Sequence, residues 1–176
     1  MKAIIVVDVL NGFCVSGKLA SPRLARVVPG IRTYLERELA AGARAIFLAD
    51  NHAPDDLEFA MFPPHCMVGT QEAQIVPELR AIAARSDVVP KTRYSGFYGT
   101  DLDQRLAALA PDVVEVVGVC TDICVMHTVA DLRNRDYRVV VRRDLVETYD
   151  APGHDGDRIN EFALAHMRDV LGARLV

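Results

Sequence analysis

Short apolar, β-branched runs alternate along the chain with longer stretches of helical periodicity, which is the pattern of βαβ units. The runs are Ala3 to Asp8 (AIIVVD), Arg44 to Asp50 (RAIFLAD), Asp87 to Val89 (DVV), Val113 to Gly118 (VVEVVG), Arg138 to Val141 (RVVV) and Ala173 to Val176 (ARLV). Several lack the in-out alternation of a half-exposed strand, as strands covered on both faces do. Between them, Pro29 to Ala41, Gln71 to Ala84, Thr100 to Ala110, Thr121 to Arg135 and Asp155 to Leu171 read as helices. Pro77 suits a first helical turn, which would start the second of these near Val76, and Gly42 suits the stop after the first. The pattern predicts a single α/β domain over residues 1–176: a doubly wound, mostly parallel six-stranded sheet with helices on both faces.

Sheets of this kind bind ligands beyond the carboxyl ends of their strands. That rule selects residues without any motif. Asp8 ends the first strand, Asp50 ends the second, Lys91 follows the third, and Gly118 to Cys124 leads from the fourth strand into a helix. Two carboxylates, an amine and a thiol are thereby expected on one edge.

Composition narrows the setting. With 51% hydrophobic residues, 25% charged and a net charge of -4, the chain is an ordinary globular one, and its basic residues are scattered rather than striped, against nucleic acid. Only five apolar residues precede Asp8 after Lys2, too few for a signal-peptide core or a membrane span, so a cytoplasmic location is expected. The four cysteines, Cys14, Cys66, Cys120 and Cys124, are then expected as free thiols.

Cys124 falls near the start of a helix whose expected N-cap is Thr121, where unpaired amides and the helix dipole favour a thiolate. Taken alone, Cys124 would read as a small buried hydrophobe. Its company changes the reading: an ammonium at Lys91 would lower the thiol pKa further, and Asp8 could accept the thiol proton and return it to a leaving group. Asp8 follows five consecutive apolar residues, and a carboxylate ending so buried a strand needs a partner, for which Lys91 is the obvious choice.

A second cluster lies in DNHAPDDLEFAMFPPHC, where Asp50, His52, Glu58 and His65 offer carboxylate and imidazole donors suited to zinc, manganese or iron. A loop with two exposed histidines is the plainer alternative. His127, three residues after Cys124, reads as a packing residue, His154 as a loop residue and His166 as a helix-surface one. Phe13, Phe62, Tyr94, Phe97 and Tyr98 are either core or the lining of an aromatic pocket.

Three segments, VVDVLNGFC, KTRYSGFYGTDLD and GVCTDICV, together with Asp50, His52 and FPPHC, resemble the motifs of the isochorismatase-like cysteine hydrolases, and within them the nicotinamidases. The resemblance covers essentially the whole chain. It implies catalytic roles for Asp8, Lys91 and Cys124, an oxyanion hole from the backbone amides of Cys120 and Cys124, and a cis peptide between Val119 and Cys120. It implies one divalent metal ion, zinc first and manganese or iron as alternatives, on Asp50, His52 and His65, with Glu58 ligating in some members. Phe13, Phe62 and Tyr94 would form the substrate pocket, Phe62 standing in for a tryptophan that the chain lacks. The implied reaction is hydrolysis of nicotinamide through a cysteine thioester, in a homo-oligomer with neither nucleic acid nor membrane as partner. The alternatives are a related amidase for ureido, carbamoyl or maleamate-type compounds, for which Arg93 is the one candidate clamp, and a noncatalytic scaffold.

Overall fold

The computed structural model describes residues 1–176. Its strands are β1 (Lys2–Val7), β2 (Arg44–Asp50), β3 (Asp87–Lys91), β4 (Val113–Val119), β5 (Val139–Glu147) and β6 (Arg174–Leu175), joined in one sheet of order β3-β2-β1-β4-β5-β6 with every pairing parallel. Parallel neighbours need crossovers, and the helices that make them cover both faces. On one face lie α1 (Asn11–Cys14), α2 (Pro22–Ala25), α3 (Val28–Ala40) and α4 (Arg80–Ala83); on the other lie α5 (Leu102–Leu109), α6 (Met126–Arg133) and α7 (Gly156–Asp169).

The central strand explains its own sequence. Ile4 and Val6 of β1 pack into the core under α3, while Ala3, Ile5 and Val7 pack into the core under α5 to α7, so neither face tolerates a polar side chain. The six-stranded, doubly wound architecture is therefore as the pattern predicts. No helix is long and apolar enough to cross a membrane.

The differences are local. Gln71 to Ile75 is irregular rather than helical, because the carbonyls of Glu72 and Gln74 accept from Gly12 and Asn11 (2.9 and 2.8 Å) and Ile75 bridges to Leu10. A 3₁₀ turn at Pro77–Leu79 leads into the short α4. Strand β5 runs on to Glu147, past the apolar stretch that ends at Val141, through a register shift against β4 between Val116 and Gly118. Gly118 itself has φ +119°, and a Cβ there would lie 2.1 Å from the carbonyl oxygen of Val7 on β1. Only glycine permits that approach.

Candidate functional site

The four predicted edge residues come from four adjacent strands. Asp50 and Lys91 are register partners at the ends of β2 and β3, so their side chains leave the sheet on the same face. Asp8 lies one residue past β1 with φ +49°, a left-handed conformation that its short polar side chain tolerates. Its amide donates to Leu48 (3.0 Å), and its Oδ1 accepts from the amide of Asp50 (3.0 Å). Cys124 follows β4 in a π-helical turn, Thr121–Val125, that runs into α6. Cys120, not Thr121, occupies the cap position of that turn, with no side-chain bond; Thr121 is its buried first residue, and its hydroxyl has no hydrogen-bond partner. The Val119–Cys120 peptide is cis.

Lys91 is the hub. Its Nζ lies 2.7 Å from Asp8 Oδ2 and 3.7 Å from Cys124 Sγ and donates to Asp50 Oδ1, with the side chain wholly removed from solvent. Burial pulls the ammonium's pKa down, but Asp50, Asp8 and Cys124 hold it well above the ordinary lysine value. Asp50 is pushed up by burial and pulled down harder by Lys91, His52 and His65, so it stays ionised. Asp8 is the loser of the pair: burial and the neighbouring Asp50 charge raise it to about 6 against the pull of Lys91 and Cys124. Cys124 corrects the sequence expectation of a thiolate. Burial pushes its pKa well above the ordinary thiol value, Lys91 pulls it down, and Asp8 and Asp50 push it up again. The resting arrangement is a thiol facing a carboxylate, not a preformed thiolate.

Asp50 belongs to both clusters. Its second oxygen, Oδ2, lies 3.6 Å from His52 Nε2 and 3.7 Å from His65 Nε2, and Glu58 Oε1 lies 3.9 and 3.8 Å from the same two nitrogens. All four side chains are buried. Donors at these separations are close to the edge of roughly 3.4 Å expected for a tetrahedron with bonds near 2.1 Å. Two further observations fit a cation here. His52 Nε2 and Glu58 Oε2 are buried with no hydrogen-bond partner, and each imidazole is oriented from behind, His52 Nδ1 by Asp56 Oδ2 (3.1 Å) and His65 Nδ1 by the Pro63 carbonyl (2.9 Å). Burial lowers the pKa of both histidines, but Asp50, joined by Asp56 and Glu58 at His52 and by the Pro63 carbonyl at His65, raises them on balance.

Both clusters open on one cavity of about 290 Å³, into which Asp50, Glu58, His65, Cys120 and Cys124 face together with Phe13, Phe62 and Tyr94. That size suits a small ligand. Phe62 and Tyr94 meet edge to face with centroids 6.3 Å apart, and Phe13 lies 5.6 Å from the His65 ring. Phe97 instead packs in the core, and Tyr98 is exposed, with the Arg93 guanidinium 5.9 Å from its ring centroid. Arg93 itself donates to Asp56 (2.7 Å) and does not line the cavity. His127 turns its Nδ1 to the Ile123 carbonyl (2.7 Å), and the four cysteines are free thiols. Two stretches of the lining have no counterpart in the residues singled out from the sequence: Lys18 to Ser21, in and after the exposed loop that follows α1, and Tyr149 to Ala151 just beyond β5. The strand-end rule would have found Tyr149 had β5 been carried to Glu147.

The isochorismatase domain model matches residues 2–172. The nicotinamidase/pyrazinamidase of Mycobacterium tuberculosis is 35% identical over 147 residues, covering 74% of this chain and 78% of its own. Among solved structures, the N-carbamoylsarcosine amidase of Thermoplasma acidophilum superposes with a TM-score of 0.86 at 34% identity, over 99% of this chain and 94% of that one. The pyrazinamidase of Pyrococcus horikoshii, solved in complex with zinc, superposes with a TM-score of 0.86 at 28% identity, over 99% and 98%.

Proposed function

From the premise that this chain belongs to the isochorismatase domain family, we propose that it is a cysteine amidohydrolase that converts nicotinamide to nicotinate and ammonia. The observation that carries the reading is the position of Lys91, which touches Asp8, Asp50 and Cys124 at once and so joins a nucleophile set to a four-donor cluster on one small cavity.

The chemistry follows from protonation states. Asp8, with its pKa raised to about 6, is ionised near neutrality yet basic enough to take the Cys124 proton as the sulfur attacks the carboxamide carbon. The S–C bond forms and the carbonyl electrons move to oxygen, where the backbone amides of Cys120 and Cys124 would donate to the developing charge. A single such donor is worth roughly 3 kcal/mol in other enzymes. The C–N bond then breaks, and nitrogen takes the proton from Asp8 and leaves as ammonia. Asp8 next takes a proton from water as its oxygen attacks the thioester; the C–S bond breaks and the sulfur recovers that proton. Lys91 stays charged throughout, holding Asp8 in place and offsetting the negative charge that builds on sulfur.

Asp50, His52 and His65, with Glu58 as a fourth donor, would hold one divalent ion, zinc first, and when bound it would supply a Lewis-acid contact for the pyridine nitrogen. Phe13, Phe62 and Tyr94 would flank the ring. Lys18 supports a second reading: it is the one lysine or arginine on the cavity, and it would suit an amide that carries a carboxylate, such as N-carbamoylsarcosine.

The test is ammonia release from nicotinamide, benzamide and N-carbamoylsarcosine, with and without chelator. The expected result is turnover of nicotinamide, much poorer turnover of benzamide, suppression by chelator, and none by Cys124→Ala, which should keep the native circular dichroism. Equal rates on nicotinamide and benzamide by metal-stripped protein would refute the nicotinamide assignment. Turnover by Cys124→Ala would refute the nucleophile.

A further inference from the structure

One built network near the cavity takes no part in the chemistry above. Asp122 lies in the π-helical turn two residues before Cys124, and its side chain is mostly buried. Its Oδ1 accepts from the Thr148 hydroxyl (2.5 Å), and its Oδ2 lies 3.0 Å from His154 Nε2. His154 Nδ1 lies 2.9 Å from the carbonyl oxygen of Tyr149. Both imidazole nitrogens therefore face oxygens, which fixes the ring in its own plane. Against that fixed ring the Tyr149 side chain lies flat, with centroids 4.0 Å apart and planes within 3°. Tyr149 in turn lines the cavity that holds Cys124 and Phe13.

The rest of the segment is anchored separately. Arg23 of α2 reaches Glu147 (3.1 Å), Asp150 (3.6 Å) and Asp157 (2.6 Å), and Ala151 and His154 exchange backbone hydrogen bonds (3.0 and 2.9 Å). Removing the imidazole would then loosen the Tyr149 ring without freeing the segment. The geometry is that of a ring held from behind by a histidine, and the histidine held by a carboxylate on the nucleophile turn.

We propose that Tyr149 is a specificity-determining wall on which the non-reacting part of the amide substrate rests, and that His154 and Asp122 are positioning residues that act through it. The proposal rests on the amidohydrolase reading above but not on nicotinamide itself. A residue that only binds substrate, equally in ground and transition states, shows in KM and not in kcat.

The experiment is steady-state kinetics on the full chain with nicotinamide and N-carbamoylsarcosine, for Tyr149→Ala, Tyr149→Phe, His154→Ala, His154→Gln and the Tyr149→Ala/His154→Ala double variant. Tyr149→Ala should raise KM about fivefold to tenfold with kcat within about twofold, and Tyr149→Phe should recover most of that loss. His154→Ala should reproduce the KM rise, and His154→Gln, which keeps one donor, should fall between. The double variant should be no worse than Tyr149→Ala, because His154 acts only through the ring. A normal KM in Tyr149→Ala, a fall in kcat at unchanged KM, or multiplying effects in the double variant would overturn the proposal. Should the wild-type protein hydrolyse only N-carbamoylsarcosine, the nicotinamide reading falls and the same variants are scored on that substrate. No turnover of either amide would overturn both readings.

Discussion

Replacing Lys91 with methionine would leave Asp8 and Asp50 facing each other, both buried, with no cation between them. Their side chains are 1% and 4% exposed, and the lysine they lose is 0% exposed. Removing one partner of a buried ion pair typically destabilises by about 3 to 5 kcal/mol, because the remaining charge stays desolvated. For a chain of 176 residues that corresponds to a fall in Tm of roughly 10 °C. The effect must also depend on pH, and its sign can be worked out. In the wild-type protein Lys91 holds Asp50 below its ordinary value, a contribution that is present at neutral pH and fades in acid. In the variant at least one carboxylate is raised instead, so its penalty is present at high pH and relieved as pH falls and a proton replaces the ammonium. Urea melts of both proteins at matched metal content should therefore differ most at pH 8 and converge toward pH 5. A loss below about 1 kcal/mol at pH 8, or a loss equal at the two pH values, would show that Lys91 is not the counter-ion of this edge. Ammonia release by the variant should be abolished at both.

Three further outcomes follow from the same geometry. Because Asp8 must be ionised to take the Cys124 proton and its pKa is raised to about 6, kcat/KM should fall in acid with an apparent pKa near that value and level off above it; a profile flat down to pH 5 would remove Asp8 as the base. Asp56→Asn, which weakens the carboxylate behind His52 Nδ1, should lower zinc affinity about 10- to 100-fold in a chelator competition, and unchanged affinity would mean His52 is not a ligand. Gly118→Ala forces a Cβ toward the Val7 carbonyl in a positive-φ conformation, so the soluble yield and Tm should drop sharply, and a Tm within about 2 °C of wild type would show that β1 and β4 separate easily.

The strand ends were the legible part of this molecule. Five apolar residues and then Asp8, or RAIFLA and then Asp50, read as buried strands ending at a polar edge, because short apolar runs alternating with longer helical stretches fit strands covered on both faces. The third strand read short because Pro90 interrupts it; β3 is an edge strand, where a proline removes no needed ladder bond, and so it reaches Lys91. The fifth read short because Arg142, Arg143 and Asp144 follow Val141, and a register shift that leaves Arg143 and Asp144 exposed while the strand continues leaves no mark in periodicity. Gln71 to Ile75 has helical composition but spends its carbonyls on α1, a choice made by tertiary pairing. In the site, residue types and spacing selected Asp8, Lys91 and Cys124 and the four-residue cluster. They did not reveal that Asp50 serves both sets, because that depends on which oxygen faces which neighbour. Nor could they give the protonation of Cys124, since the depth of burial that outweighs Lys91 exists only after folding.

The strand order carries a consequence for how the molecule comes off the ribosome. β1 is made first, yet one of its two neighbours is β4, whose last residue is Val119. Until residues up to that point have emerged, the β4-facing edge of β1 beside Asp8 is unpaired, and Lys91 has Asp8 and Asp50 but lacks the turn carrying Cys124 that helps to cover it. Nascent chains that end between β3 and β4 should then hold a hydrated lysine and a labile β1, and fragments cut in that interval should be inactive apart. Mixed together, they would have to insert β1 between strands from both pieces to regain turnover. Recovered ammonia release would thus report completion of the whole sheet, a folding assay that the protein carries within its own chemistry.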